Sequence, residues 1–144
     1  DHTPTTALVV MQGALFFGAD LLRPLPPPVC VDYLHPVSYN GTASTGTVRF
    51  ERVPRTPLQG RHVLIVEDIV DTGRSLAAMH AWLRPQAPAR VTTCSLFDKP
   101  AHRVVAHHPD LTGFHLDDRF VVGYGLDYNG AYRALPAVYT LEEA

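Results

Sequence analysis

The chain has 144 residues, of which 46% are hydrophobic and 18% are charged, and its formal net charge is −2. These values suit one globular domain over residues 1–144, and they give no overall attraction to nucleic acid or to an anionic membrane. The longest apolar runs are far too short to cross a bilayer, and we expect no secretory leader. We therefore expect a cytoplasmic protein in which Cys30 and Cys94 are buried, reduced thiols.

The first half of the chain alternates apolar runs, which predict strands, with one pattern of helical spacing. A polar, glycine-containing stretch at 36–46 predicts a mobile hairpin or a lid. The predicted elements are, in order, a strand at 7–11, a helix through Leu15, Ala19 and Leu22 that ends at the prolines of 24–28, a strand at 29–34, the polar stretch, and a strand at 47–50.

The second half continues the alternation of strands and helices. Its predicted elements are a strand at 62–68, a helix through Leu76, Met79 and Leu83 that ends at Pro85, a strand at 91–97, and two further strands at 120–124 and 137–141. Buried strands that alternate with helices indicate an α/β fold with a mainly parallel, twisted sheet flanked by helices and right-handed crossovers. In such sheets ligands bind at the carboxyl ends of the strands.

Acidic residues directly follow a predicted central strand that is apolar on both faces. Residues 63–66 run into Glu67 and Asp68, and carboxylates at the end of a buried strand are costly unless a ligand, a metal or a hydrogen-bond donor meets them. The turn at 72–75 offers Gly73, two hydroxyl groups and the N-terminus of a helix, which together suit one phosphate group. Carboxylates beside a phosphate pocket predict a ribose 5-phosphate as ligand.

The whole segment 63–75, VLIVEDIVDTGRS, resembles the motif of type I phosphoribosyltransferases that binds 5-phosphoribosyl 1-diphosphate (PRPP). It is neither a Walker A loop nor a Rossmann glycine pattern. The resemblance implies that Glu67 and Asp68 hold the ribose hydroxyls, partly through Mg²⁺, and that Asp71 is the catalytic acid or base beside the purine. It also implies a 5-phosphate site made by Thr72, Gly73, Arg74 and Ser75, with Arg74 in a supporting role.

Two later segments resemble the purine-binding parts of hypoxanthine-guanine phosphoribosyltransferases. They are FVVGYGLDYN at 120–129 and LFDKP at 96–100. The resemblance implies that Phe120 stacks on the purine, that the main chain of Val121 contacts the ring edge, that Lys99 donates to the 6-oxo group and that Asp127 binds the metal. Lys99 is the one lysine among 12 basic residues, and an ammonium suits a single acceptor oxygen better than a broad guanidinium does.

The resemblance extends to the pyrophosphate site and to a flexible loop. It implies pyrophosphate contacts from Gln12, Gly13 and Arg133, although the family usually carries lysine where this chain has Gln12. Because glutamine carries no charge, this departure predicts a weaker electrostatic attraction for pyrophosphate. Ser38 and Tyr39 match the start of a family loop that closes over the site, and closure keeps water from the reactive ribosyl centre.

Together these features predict purine salvage, in which PRPP and a 6-oxopurine give IMP or GMP and pyrophosphate on a homodimer or homotetramer. A xanthine-preferring enzyme and an RNA-binding regulator on the same fold remain alternatives, but the regulator predicts a basic surface. Family members usually begin with an additional helix and strand that help to build a small hood over the base; this sequence starts at Asp1, and we expect reduced activity if that segment is missing. The remaining candidates are His102, His107, His108 and His115, which lack zinc-ligand spacing and are expected to be exposed in loops.

Overall fold

The structure is a computed structural model that describes residues 3–38 and 47–142. Two helices lie between strands of a six-stranded sheet, and a separate pair of short strands follows the sheet. The elements are β1 (Thr5–Val10), α1 (Leu15–Leu22), β2 (Val29–Ser38), β3 (Val48–Arg52), β4 (His62–Val70), α2 (Arg74–Leu83), β5 (Arg90–Asp98), β6 (Leu111–His115), β7 (Val121–Val122) and β8 (Tyr139–Thr140), with 3-10 turns at Arg84–Gln86 and Pro100–His102.

The strand order is β3-β2-β1-β4-β5-β6, and every neighbouring pair is parallel except β2 and β3. The prediction of a mainly parallel α/β sheet is therefore confirmed. Because β1, β4 and β5 run in the same direction side by side, the segments that follow them leave the same edge of the sheet. The two-stranded sheet of β7 and β8 is antiparallel and stands apart from the main sheet.

The core lies around the two central strands, β1 and β4. Leu8 and Ile65 pair in register and are fully buried, as expected of strands covered on both faces. On α2 the buried residues are Leu76, Met79 and Leu83, whose spacing places them on one face of a helix. This packing holds rigid the end of β4, which carries the acidic residues. Within the described residues no helix is long and apolar enough to span a membrane.

The predicted polar loop begins later than expected. Strand β2 continues through Pro36 to Ser38 and pairs with β3 as an antiparallel hairpin. Residues 39–46, and with them the predicted loop residue Tyr39, lie outside the described residues.

The structure differs from the predictions in three further places. Strand β6 was not predicted, because four of its five residues are exposed at the sheet edge and give no apolar alternation. The strands expected at 120–124 and 137–141 form ladders of only two residues each. Cys30 is exposed near the start of β2, whose first half is largely uncovered, and Cys94 is half-buried.

Candidate active site

The acidic pair lies near the end of β4. Glu67 is buried, at 6% exposure, and pairs in register with Ser95 of β5. Its carboxylate accepts from the backbone N–H of Asp68 at 3.0 Å, and the Asp68 carboxylate accepts from the N–H of Ile69 at 2.8 Å. Burial, with the neighbouring charge of Asp68 as the next cause, raises the pKa of Glu67 well above its ordinary value. A bound cation or a set of hydroxyl donors would stabilise the ionised form of Glu67 and so offset the free-energy cost of burying its charge.

The turn at 71–75 surrounds a hollow of about 80 Å³ between the acidic pair and α2. Gly73 has φ +84°, and a Cβ there would lie 2.6 Å from the carbonyl oxygen of Val105, so glycine is required. The Thr72 carbonyl accepts from the N–H groups of Val104 and Val105 at 2.9 and 3.0 Å, which fixes the turn. The N-cap residue Gly73 has no side chain to cap α2, and the N–H of Arg74 makes only a long contact of 3.4 Å with Oγ1 of Thr72, so N–H groups of the first turn remain available to an anion.

Gly13 brings three loops together. A Cβ at Gly13 would lie 1.8 Å from Oδ2 of Asp68, and a Cβ at Gly125 would lie 2.0 Å from the carbonyl oxygen of Gly13. A groove of about 360 Å³ runs beside this contact. The candidate residues that line the groove are Gln12, Gly13, Ser38, Glu67, Asp68, Ser75, Asp127 and Arg133.

Asp127 and Arg133 form an ion pair at the far side of this groove. The Arg133 guanidinium lies 3.2 Å from the Asp127 carboxylate and donates to the carbonyl oxygen of Gly125 at 2.6 Å. Asp127 also accepts from the N–H of Gly130 at 2.8 Å. Both side chains are about 30% exposed, so they are held in place and still reach the groove.

Of the predicted purine-site residues, Asp127 lines the groove, whereas Lys99 and Phe120 do not. The backbone N–H of Lys99 donates to the carbonyl of Val70 at 2.9 Å, which ties the end of β5 to the end of β4. Lys99 is 6% exposed, and its ammonium donates to the Arg119 carbonyl at 2.9 Å, which uses one of three hydrogens. Phe120 is 49% exposed with Tyr128 edge-on at 5.7 Å, so a ring face is open to a planar base.

Two of the predicted residues lie apart. Arg74 is exposed and lines neither the groove nor the phosphate hollow, in line with no more than a supporting role. Val121 lines a separate apolar cavity of about 530 Å³, together with Phe97, Phe114 and Tyr139.

Sequence reasoning missed His102. Its Nδ1 lies 2.9 Å from the Asp71 carboxylate, and its Nε2 contacts the Asp118 carboxylate. The expectation of an exposed loop histidine did not include these two contacts; the side chain is 38% exposed and lies on a 3-10 turn. His115 lies in β6 and not in a loop. The available signal was topological, because His102 and Asp71 follow adjacent parallel strands and their loops meet at one sheet edge.

Arg103 was also missed. Its guanidinium pairs with the buried carboxylate of Asp98 and donates to the carbonyl of His107, and its side chain is 8% exposed. A Cβ at Gly73 would lie 2.9 Å from Cδ of Arg103. Arg103 therefore packs against the phosphate turn at Gly73. A single charged residue in a polar loop gives no sequence signal of such burial.

Comparison with known proteins places this geometry in a family. The model of the phosphoribosyl transferase domain matches residues 1–129. The hypoxanthine-guanine-xanthine phosphoribosyltransferase of Tritrichomonas foetus is 38% identical over 138 residues, which cover 95% of this chain and 75% of that protein. The hypoxanthine-guanine phosphoribosyltransferase of Bacillus subtilis is 38% identical over 139 residues, which cover 96% of this chain and 77% of that protein.

Solved structures agree. A hypoxanthine phosphoribosyltransferase from Staphylococcus aureus superposes with a TM-score of 0.92 at 32% identity, over 99% of this chain and 78% of that one. The Trypanosoma cruzi hypoxanthine phosphoribosyltransferase in complex with the product IMP gives a TM-score of 0.90 at 37% identity, over 98% of this chain and 76% of that one. The chain belongs to the phosphoribosyltransferase family, among the hypoxanthine-guanine phosphoribosyltransferases.

Proposed function

We propose that this chain transfers the phosphoribosyl group of PRPP to N9 of hypoxanthine, guanine or both, giving IMP or GMP and pyrophosphate. The observation that carries the proposal is the buried carboxylate of Glu67 beside the half-buried carboxylate of Asp68, which lead directly into a glycine turn at the N-terminus of α2. The names of its relatives, and the IMP bound by the Trypanosoma cruzi enzyme, support the same activity.

The segment 67–75 provides the PRPP site in this proposal. The hollow formed by Asp71, Thr72, Gly73 and Ser75 takes the 5-phosphate, because backbone N–H groups and hydroxyls there donate to an anion. Glu67 and Asp68 accept hydrogen bonds from the ribose hydroxyls, which offsets part of the cost of their burial. Arg74 contributes only at long range.

The acidic groups of the groove fit Mg²⁺. Glu67 and Asp68 on one side, or Asp127 on the other, would supply one or two oxygen ligands, and no ion pair with a basic side chain neutralises Glu67 or Asp68 within the described part of the chain. The described residues form no cage of three or more ligands, and Mg²⁺ is typically held by one or two carboxylates together with substrate phosphates. When bound, the ion neutralises charge on the departing pyrophosphate.

Asp71 moves the proton in the proposed reaction. N9 of the purine forms a bond to C1 of the ribose as the bond from C1 to the pyrophosphate oxygen breaks, and the Asp71 carboxylate accepts the proton that N7 loses. A positioned acid or base contributes about 10²–10⁴-fold to such a step. Lys99 donates to the 6-oxo oxygen, Phe120 stacks on the ring, and the main chain of Val121 contacts its edge.

The pyrophosphate lies between the first loop and the ion pair. The amide of Gly13, the side chain of Gln12 and the guanidinium of Arg133 are its donors, and Gln12 contributes no charge. Ser38, at the end of β2, lines the same groove, and exclusion of water there protects the reacting carbon. Tyr39 lies outside the described residues. We further propose that the chain acts as a single domain in a cytoplasmic homodimer or homotetramer.

A xanthine-preferring enzyme is a second candidate, because the Tritrichomonas foetus relative is named for xanthine as well as for hypoxanthine and guanine. An exocyclic oxygen at C6 is common to these three bases, so Lys99 does not distinguish among them. An RNA-binding regulator is disfavoured, since a net charge of −2 gives no overall attraction to a polyanion.

The test measures initial rates with PRPP, Mg²⁺ and one base at a time: hypoxanthine, guanine, xanthine or adenine. The release of pyrophosphate gives the rate, and chromatography identifies the nucleotide formed. We expect turnover of hypoxanthine, guanine or both, and none of adenine, whose amino group repels the Lys99 ammonium. Preference for xanthine supports the second candidate. Turnover of adenine alone, or of no base, refutes the proposal. The variant Lys99→Met keeps the apolar length of the side chain and is expected to lose 6-oxopurine turnover.

A further inference from the structure

His102 joins two carboxylates through one ring. Its Nδ1 lies 2.9 Å from the carboxylate of Asp71, and its Nε2 contacts the carboxylate of Asp118. The ring sits on the 3-10 turn that follows Lys99, and the backbone N–H of His102 donates to the Lys99 carbonyl at 3.1 Å. The turn is thereby fixed to the end of β5, so the ring has a defined position relative to both carboxylates.

This bridge connects the segment assigned to PRPP with both segments assigned to the base. Asp71 belongs to the phosphate turn, His102 follows the lysine strand, and Asp118 precedes the aromatic segment by two residues. A second link runs in parallel, since the Lys99 ammonium donates to the carbonyl of Arg119, next to Asp118. The side chain of His102 thus links the proposed acid–base group, Asp71, to the segments assigned to the purine.

Asp71 needs such a partner for its orientation. Its side chain is 48% exposed, so packing alone does not select one rotamer of the carboxylate. Ionised carboxylates accept hydrogen bonds and do not donate them, so each contact of the ring needs an imidazole N–H. A neutral ring has one N–H and can donate to Asp71 or to Asp118, whereas an imidazolium donates to both. A proton transfer requires the carboxylate within hydrogen-bond reach of the purine nitrogen, and a misplacement of about 1 Å can cost about 10²-fold in rate.

We propose that His102 is a positioning residue for Asp71, which holds the carboxylate in line with the purine during proton transfer. The inference rests on the proposed function and adds to it a residue outside the predicted site. Because the bridge is largely exposed, it contributes little to folding stability. Its effect is therefore confined to turnover.

The test compares four proteins with hypoxanthine and PRPP: wild type, His102→Ala, His102→Asn and the control His108→Ala, which removes an exposed histidine of the same loop. His102→Ala is expected to lower kcat about tenfold, a part of what a positioned acid or base contributes, while KM for PRPP stays within about twofold. His102→Asn restores much of kcat, because its side-chain amide donates from about the place of Nδ1. His108→Ala leaves kcat unchanged, and thermal midpoints confirm that all four fold.

A double-mutant cycle shows whether His102 acts through Asp71. In an Asp71→Ala background the change His102→Ala is expected to have no further effect on kcat. An equal loss in both backgrounds, or a kcat of His102→Ala within about twofold of wild type, overturns the inference while the proposed function stands. A wild type that transfers no phosphoribosyl group overturns the proposed function and this inference with it.

Discussion

The change Gly13→Ala tests how closely the first loop must approach the acidic pair. A Cβ at this position would lie 1.8 Å from Oδ2 and 2.5 Å from Cγ of Asp68, whereas ordinary contact begins at 3.4 Å. The carboxylate oxygen must therefore move by roughly 1.6 Å. Since Asp68 is a side chain that can rotate away, we expect the cost to fall on ligand binding and not on folding. A displacement of this size in a reacting site costs on the order of 10²-fold in rate.

The assay is kcat/KM for PRPP with saturating hypoxanthine, together with the thermal midpoint of the free protein. The matched control is Gly18→Ala in α1, where the added Cβ meets Val9 Cγ1 at 2.9 Å; neither Gly18 nor Val9 lines the groove. Gly13→Ala should lose about 10²-fold in kcat/KM with little change in midpoint. Gly18→Ala should lower the thermal midpoint, because the added Cβ crowds Val9, and should leave kcat/KM unchanged. Full activity of Gly13→Ala would refute the tight contact between Gly13 and Asp68.

Three further predictions concern stability and titration. Leu76→Ala empties a fully packed position of α2 and should lower the free energy of unfolding in urea by about 2–5 kcal/mol; a loss under about 1 kcal/mol contradicts that packing. Burial, followed by the nearby charge of His107, lowers the pKa of His80 from 6.5, so its contribution to stability is complete above pH 6.5 and is lost as the pH falls through its lower folded value. Urea unfolding of His80→Gln should show a shallower loss below pH 6.5, and an unchanged slope counts against this. Burial and a hydrogen bond to Asp20 raise the pKa of Tyr124 to about 12, so Tyr124→Phe should remove a phenolate step near pH 12 from an ultraviolet titration.

The sequence predicted those parts of the fold in which apolar pattern and burial coincide. Strand β4 and helix α2 were expected because residues 63–66 are apolar throughout and because Leu76, Met79 and Leu83 recur at helical spacing. Strand β6 was not predicted, because an exposed edge strand need not carry an apolar face. The short ladders of β7 and β8 depend on contacts between segments that are distant in sequence.

The site could be predicted as far as it is contiguous. The segment 67–75 carries acids, glycine and hydroxyls in one run, and the structure places them around one groove and one hollow. The bridge between Asp71 and His102 spans 31 residues, and nothing in the spacing of the histidines indicates it. The burial of Arg103 likewise arises from tertiary packing against Asp98. The roles assigned to individual site residues stay predictions.

The most direct measurement compares turnover with PRPP affinity in Asp71→Ala and in the wild type. PRPP is titrated calorimetrically into each protein in Mg²⁺, and kcat is measured with hypoxanthine under the same conditions. If segment 67–75 binds PRPP while Asp71 moves the purine proton, kcat falls by about 10²–10⁴-fold and the dissociation constant of PRPP changes by less than about fivefold. Comparable losses in both quantities, or a wild type that binds no PRPP, would contradict this division of roles.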